Sequence, residues 1–209
     1  MQFLLGVHCR WRYHIEGIIK IKTGRKLVPL SVQELVSCDK TNNKCAGGRA
    51  EKALRWLERP DEKTKKKNGL CPAEQYPYTS TATPCLNKPS TAYITGVGKV
   101  LENNETDLQR HVAQQPVTAS VDFSDPYFKK YDGKVIVKPS MCGIVRNHAV
   151  LIVGYGTSQE GVKYWLIKNS WGKQWGEGGY ARLERGVSQK EGSCGLAIKP
   201  YYPTIDGTA

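Results

Sequence analysis

From His148 to Gly156 the chain reads His-Ala-Val-Leu-Ile-Val-Gly-Tyr-Gly. Five consecutive apolar residues closed by a glycine are too few for a core helix and too apolar for a strand that faces water on one side. The run therefore reads as a covered strand with His148 at its lip, the imidazole fixed by the packing behind it. Such a strand needs neighbours. Apolar or alternating runs at Val117 to Val121, Tyr164 to Lys168 and Tyr180 to Arg185 supply them, punctuated by Gly and Pro, and their spacing predicts an antiparallel sheet or barrel.

Upstream the period changes. Ile15, Ile18, Ile19 and Lys22 follow at helical spacing within residues 8 to 22, before Gly24 stops the run. Ser31-Val32-Gln33-Glu34 has the Ser-x-x-Glu form of a capping box and opens a short helix into Cys38. A third helix is expected over Arg49 to Glu58, between Gly47-Gly48 and Pro60, and a fourth over Glu105 to Gln114. The pattern predicts an α+β architecture in one domain, a helical lobe over about 1–92 and a β lobe over about 93–209, with a site expected in the cleft between them. At 209 residues and 39% hydrophobic composition the chain can bury a substantial core.

A lone His is more often structural than catalytic, but His148 has company. About twenty residues on, Lys168-Asn169-Ser170-Trp171-Gly172 offers an amide that can accept from one imidazole nitrogen and an indole that can screen the pair from water. A third group that fixes the tautomer of a base is the arrangement nucleophilic catalysis uses.

Asn147-His148-Ala149-Val150, Tyr164-Trp165-Leu166-Ile167-Lys168-Asn169-Ser170-Trp171-Gly172 and Trp175-Gly176-Glu177-Gly178-Gly179-Tyr180 together resemble the papain family of cysteine peptidases, its plant members above all. Ile15-Glu16-Gly17, the run from Ser31 to Asp39, Cys45-Ala46-Gly47-Gly48 and Tyr76-Pro77-Tyr78 match in order and spacing, so the likeness covers about residues 15–204. The resemblance implies a two-lobe fold, a helical left lobe and an antiparallel barrel-like right lobe with the active-site cleft between. It also implies that His148 takes the proton of a cysteine thiol, Asn169 holds the imidazolium, and Gly48 offers backbone hydrogen bonds to an extended substrate. The implied ligands are peptides or proteins, with a proteinaceous inhibitor or propeptide as a further partner. No cofactor or metal, no specific nucleic acid and no membrane span is implied, and the expected state is a monomer.

The expected nucleophile is missing from its place. In the family it opens the central helix, where the helix dipole favours the thiolate. Counting back from Ile15-Glu16-Gly17 without gaps puts Gly6 there, and the Gln of the oxyanion hole would fall before Met1. Cys9 lies three residues on, about 4.5 Å along a helix axis, and a displacement of about 1 Å already costs on the order of a hundredfold. Arg10, Arg12 and His14 suggest that this stretch packs badly.

Seven cysteines with no CxxC pair argue for disulfides over zinc. By resemblance Cys38 pairs with Cys85 and Cys142 with Cys194, leaving Cys9, Cys45 and Cys71. Asn104-Glu105-Thr106 is a glycosylation sequon. No targeting segment is readable; the resemblance implies a vacuolar, lysosomal or extracellular setting. The mapped pocket for the second residue before the scissile bond holds Arg49, Ala50, Ser120, Arg146 and Lys199. Three cations there favour an acidic or polar side chain if the pocket forms, whereas stems that reach out to water leave the pocket merely altered.

The net charge of +12 attracts acidic partners without choosing among them, and Lys63 to Lys67 lacks the aromatic interleaving of a nucleic-acid groove, so it reads as a solvated loop. The expected function is a papain-like peptidase homologue impaired by Gly6. Two alternatives stand beside it: an active cysteine endopeptidase whose true N-terminal segment is missing from this chain, and a non-enzymatic basic anion-binding or storage protein.

Overall fold

The computed structural model describes residues 11–61 and 67–206. Gly6, Cys9, Arg10 and four of the five residues of the basic run, 63–66, lie outside the described residues, as does the side chain of Arg12. Two compact units emerge: one is formed by the described residues of Met1–Gly98 with Pro203–Ala209, the other by Lys99–Tyr202.

The first unit is helical. Helix α1 (Trp11–Thr23) buries Ile15 and Ile18, one turn apart, together with His14, and ends where Gly24 adopts φ +68 and its N–H returns to the Lys20 carbonyl at 3.0 Å. That left-handed stop favours glycine. Helix α2 (Val32–Cys38) starts at Ser31, whose Oγ accepts from the Glu34 N–H at 3.0 Å. The capping box closes on one side only. The Ser31 N–H donates to the Cys71 carbonyl at 2.9 Å, and Glu34 Oε2 accepts from the Cys71 N–H at 2.7 Å instead of reaching back. Helix α3 (Ala50–Glu58) begins one residue later than expected because Arg49 is extended; it buries Ala53, Leu54 and Leu57. At about 1.5–3 kcal/mol for each large apolar side chain, these faces carry the unit. A disulfide joins Cys38 to Cys85.

The second unit is built on an antiparallel sheet. Strands β2 (Val117–Val121), β3 (His148–Thr157), β4 (Lys163–Lys168) and β5 (Tyr180–Glu184) pair in that order, and β6 (Tyr201–Thr204) adds at Thr118↔Tyr201. Inward residues alternate: Val117, Ala119 and Val121 on β2, Trp165 and Ile167 on β4, Ala181 and Leu183 on β5. Strand β3 is longer than its apolar part, because the register slips between Ile152 and Gly154 and four more residues, Gly154 to Thr157, pair beyond the bulge. Helix α4 (Glu105–Val112) is two residues shorter than expected, since the N–H groups of Gln114 and Gln115 both turn back to the His111 carbonyl ahead of Pro116. Strand β1 (Gly96–Lys99) and β6 lie where the chain crosses between the units. A second disulfide joins Cys142 to Cys194.

Candidate active site

The register Val121↔His148 sets the imidazole at the start of β3, beside the end of β2. Asn169 follows β4 directly, and its N–H donates to the Gly179 carbonyl at 2.8 Å. His148 Nε2 and Asn169 Oδ1 are 3.1 Å apart. The Ser170 N–H donates to the same amide atom at 2.7 Å, which identifies that atom as the oxygen. An oxygen only accepts, so the imidazole donates from Nε2, and Nδ1 is the nitrogen through which a proton is taken up. Asn169 is buried, 5% exposed, so this hydrogen bond is sheltered from competing water.

Aromatic rings pack against the imidazole. Trp171 lies 4.7 Å from the imidazole, centroid to centroid, tilted by 38°, and Phe123 stacks on it at 5.5 Å and 23°. Phe123 in turn stacks on Phe128 at 4.2 Å, while the Trp175 indole donates to the Phe128 carbonyl at 2.6 Å.

The segment before His148 is clasped to the end of β2. Asn147 Nδ2 donates to Asp122 Oδ1 at 2.8 Å, and Asn147 Oδ1 accepts from the Phe123 N–H at 3.0 Å. Asp122 also accepts from the Val145 N–H at 2.9 Å, the Ser124 N–H at 3.1 Å and the Ser124 hydroxyl. Burial alone would raise this carboxyl, but the donors of Ser124, Asn147 and Val145 together overcome it and hold its pKa below the usual carboxylate range. Neither Asp122 nor Phe123 was singled out from the sequence. The usable signal was positional: residues that follow the partner strand of β3 must pass beside its first residue.

The remaining expected site residues divide between the units. Gly48, Arg49 and Ala50 belong to the first. Asn42 crosses directly over Gly48, where any Cβ would collide, and its Oδ1 accepts from the Arg49 N–H at 2.7 Å. Arg49 is exposed and Ala50 is buried at the start of α3. Ser120, Arg146, Trp171 and Lys199 belong to the second unit with His148 and Asn169. Arg146 and Lys199 are exposed, and the Lys199 ammonium lies 3.4 Å from Glu102. Asn104 caps α4, its Oδ1 accepting from the Asp107 N–H at 2.8 Å. Cys45 is a half-buried thiol and Cys71 a buried one, raised to about 12 by burial and by the adjacent Glu34. Among the described residues no group of side chains is arranged to hold a metal, and no helix is long and apolar enough to cross a membrane.

Residues 12–204 match the model of the papain family cysteine proteases. Fruit bromelain of Ananas comosus is 42% identical over 197 residues, covering 93% of this chain and 53% of that protein. The chain spans about half the length of the curated relatives it matches. Bromelain from the same plant, solved in complex with the E64 inhibitor, superposes with a TM-score of 0.84 at 37% identity, covering 97% of this chain and 91% of that one. A ragweed pollen cysteine protease solved in its proform, Amb a 11, gives 0.83 at 36% identity, covering 96% and 58%.

Proposed function

The chain belongs to the papain family of cysteine proteases, and on that footing we propose that it keeps the base and orienter of peptide-bond hydrolysis while Gly6 leaves the attacking position without a thiol. The observation that carries the first half is the 3.1 Å contact between His148 Nε2 and Asn169 Oδ1 beside Trp171. In the reaction this pair serves, Nδ1 takes the thiol proton, the thiolate attacks the peptide carbonyl, and the imidazolium, steadied by Asn169, later returns the proton to the leaving amine. A glycine has neither proton to give nor lone pair to attack with, so the cycle stops before the thioester.

Binding does not need the thiol. Gly48 presents main-chain groups for an extended peptide, and the relatives solved with E64 and as a proform make a peptide-like inhibitor or a propeptide segment the natural occupant. In the second unit, exposed Arg146 favours acidic side chains, while Lys199 is partly engaged by Glu102.

The test is a panel of fluorogenic dipeptides with acidic or apolar second residues. Turnover that a thiol alkylator abolishes would overturn the impaired reading. The expected result is no such turnover from the chain itself and a measurable gain in the Gly6→Cys variant.

A further inference from the structure

We propose that Phe123 is a positioning residue for the His148 imidazole, packing against it beside Trp171, whose ring lies 6.1 Å from that of Phe123. This inference rests on the reading of His148 as the base. The hydrogen bond to Asn169 fixes one point of the ring. Aromatic rings on two adjacent sides limit its swing about that point. Phe123 lies nearly parallel to the imidazole, 5.5 Å away and inclined by 23°, whereas Trp171 approaches at 4.7 Å and 38°.

Phe123 is itself held. It is 3% exposed, stacked on Phe128 at 4.2 Å and 10°, and packed near Trp175 at 6.3 Å. Its N–H donates to Asn147 Oδ1, so the residue preceding His148 and the ring stacked on His148 are tied by one hydrogen bond of 3.0 Å. Asp122 completes the tie by accepting from Asn147 and Val145. The plane of the imidazole is thus set from the core of the unit outward.

The second consequence is electrostatic. An aromatic face carries partial negative charge and stabilises a cation held over it. A stacked phenyl ring therefore favours the imidazolium that forms when the base takes up a proton, and favours it most where water is excluded. Leucine at this position fills the space without a π face. Pentafluorophenylalanine keeps the stack and inverts the polarity of the ring.

The experiment follows the side-chain nitrogens of His148 by NMR in the full chain, across pH, for the unmodified protein, Phe123→Leu and pentafluorophenylalanine placed at 123. The expected result is about a fivefold fall in the proton affinity of the imidazole for Phe123→Leu, at least as large a fall for the fluorinated ring, and a mixed tautomer in the leucine variant where the unmodified protein holds Nε2–H. Asp122, Asp125, Arg146, Lys168 and Lys173, the ionisable residues within two positions of Phe123, His148, Asn169 and Trp171, are left unchanged throughout. The fluorinated residue preserves volume, so it answers the question even where leucine unsettles the core. An imidazole whose titration and tautomer are unmoved in both variants overturns the proposal. Because the readout is the ring and not turnover, alkylator-sensitive hydrolysis by the unmodified chain would overturn the impaired-peptidase reading and leave this one standing.

Discussion

Glu34 on α2 and Asp122 beyond β2 are each 6% exposed, yet their carboxyls are shifted in opposite directions. Burial is the largest influence on both and pushes both carboxyls up. Glu34 has only the Cys71 N–H and thiol to set against it, and its pKa stays above the ordinary value of 4.5. Asp122 has two donors from Ser124, one from Asn147 and one from Val145, and its pKa ends below 3.8. Burial weighs more on Glu34, which lies deeper among protein atoms, and Glu34 also has fewer donors to offset it; the two differences together set the directions apart. Water reaches Asp122 as well: it lines an open depression of about 400 Å³ with Ser124, Asp125 and Gly143. Asp122 organises the segment leading into His148; Glu34 closes α2 onto Cys71.

The comparison breaks most sharply at Asp122→Ala. That change leaves four donors without their acceptor, and at about 1–3 kcal/mol for each group not rescued by water the total should reach about 3–5 kcal/mol. Urea unfolding of the full chain, with the slope unchanged, measures it. A loss below about 1 kcal/mol would show that Asp122 does not organise its loop. Glu34→Ala strands one backbone N–H and opens a cavity, so its expected loss is smaller, about 2 kcal/mol.

The pH dependence sharpens the same contrast. Asp122 has a folded pKa below its unfolded value, so its contribution is present above about pH 4 and is lost as pH falls through the folded value. In Asp122→Asn the acid limb of the melting temperature against pH should flatten. An acid limb as steep as that of the parent would assign acid lability to other carboxylates.

His148 and Asn169 were legible because each sits in a short run whose neighbours also have one role, strand core or glycine turn. Strands β2, β4 and β5 were legible as short apolar or alternating runs bounded by Gly and Pro; burial alternates along β4 and β5, while β2 buries Thr118 as well. Strands β1 and β6 were missed: Gly-Val-Gly-Lys carries two glycines in four residues and Tyr-Tyr-Pro-Thr carries a proline, both weak strand formers. The Ser31 capping box was half right, since the local pattern could not register a backbone N–H arriving from Cys71. Phe123 and Asp122 were invisible for a related reason. Their roles come from what the β2–β3 register brings beside them, and no periodicity within residues 121–124 encodes that.

The smallest expected effect is the most diagnostic. Glu34→Gln keeps an amide oxygen for the Cys71 N–H and removes only the capacity for charge. The folded pKa of Glu34 is raised, so the contribution of its protonated form is complete below the unfolded value and is lost as pH rises through the folded one. Glutamine cannot lose it. At pH 7 the variant should therefore match or exceed the parent by less than about 1 kcal/mol, and the gap should close toward pH 4. The Cys71 thiol offers a second reading of the same substitution: part of its rise to about 12 comes from the Glu34 charge, so it should ionise at lower pH in Glu34→Gln. If the variant is instead destabilised at pH 7 and the thiol is unmoved, Glu34 is held as a carboxylate by groups beyond Cys71, and the two acids do not differ in kind.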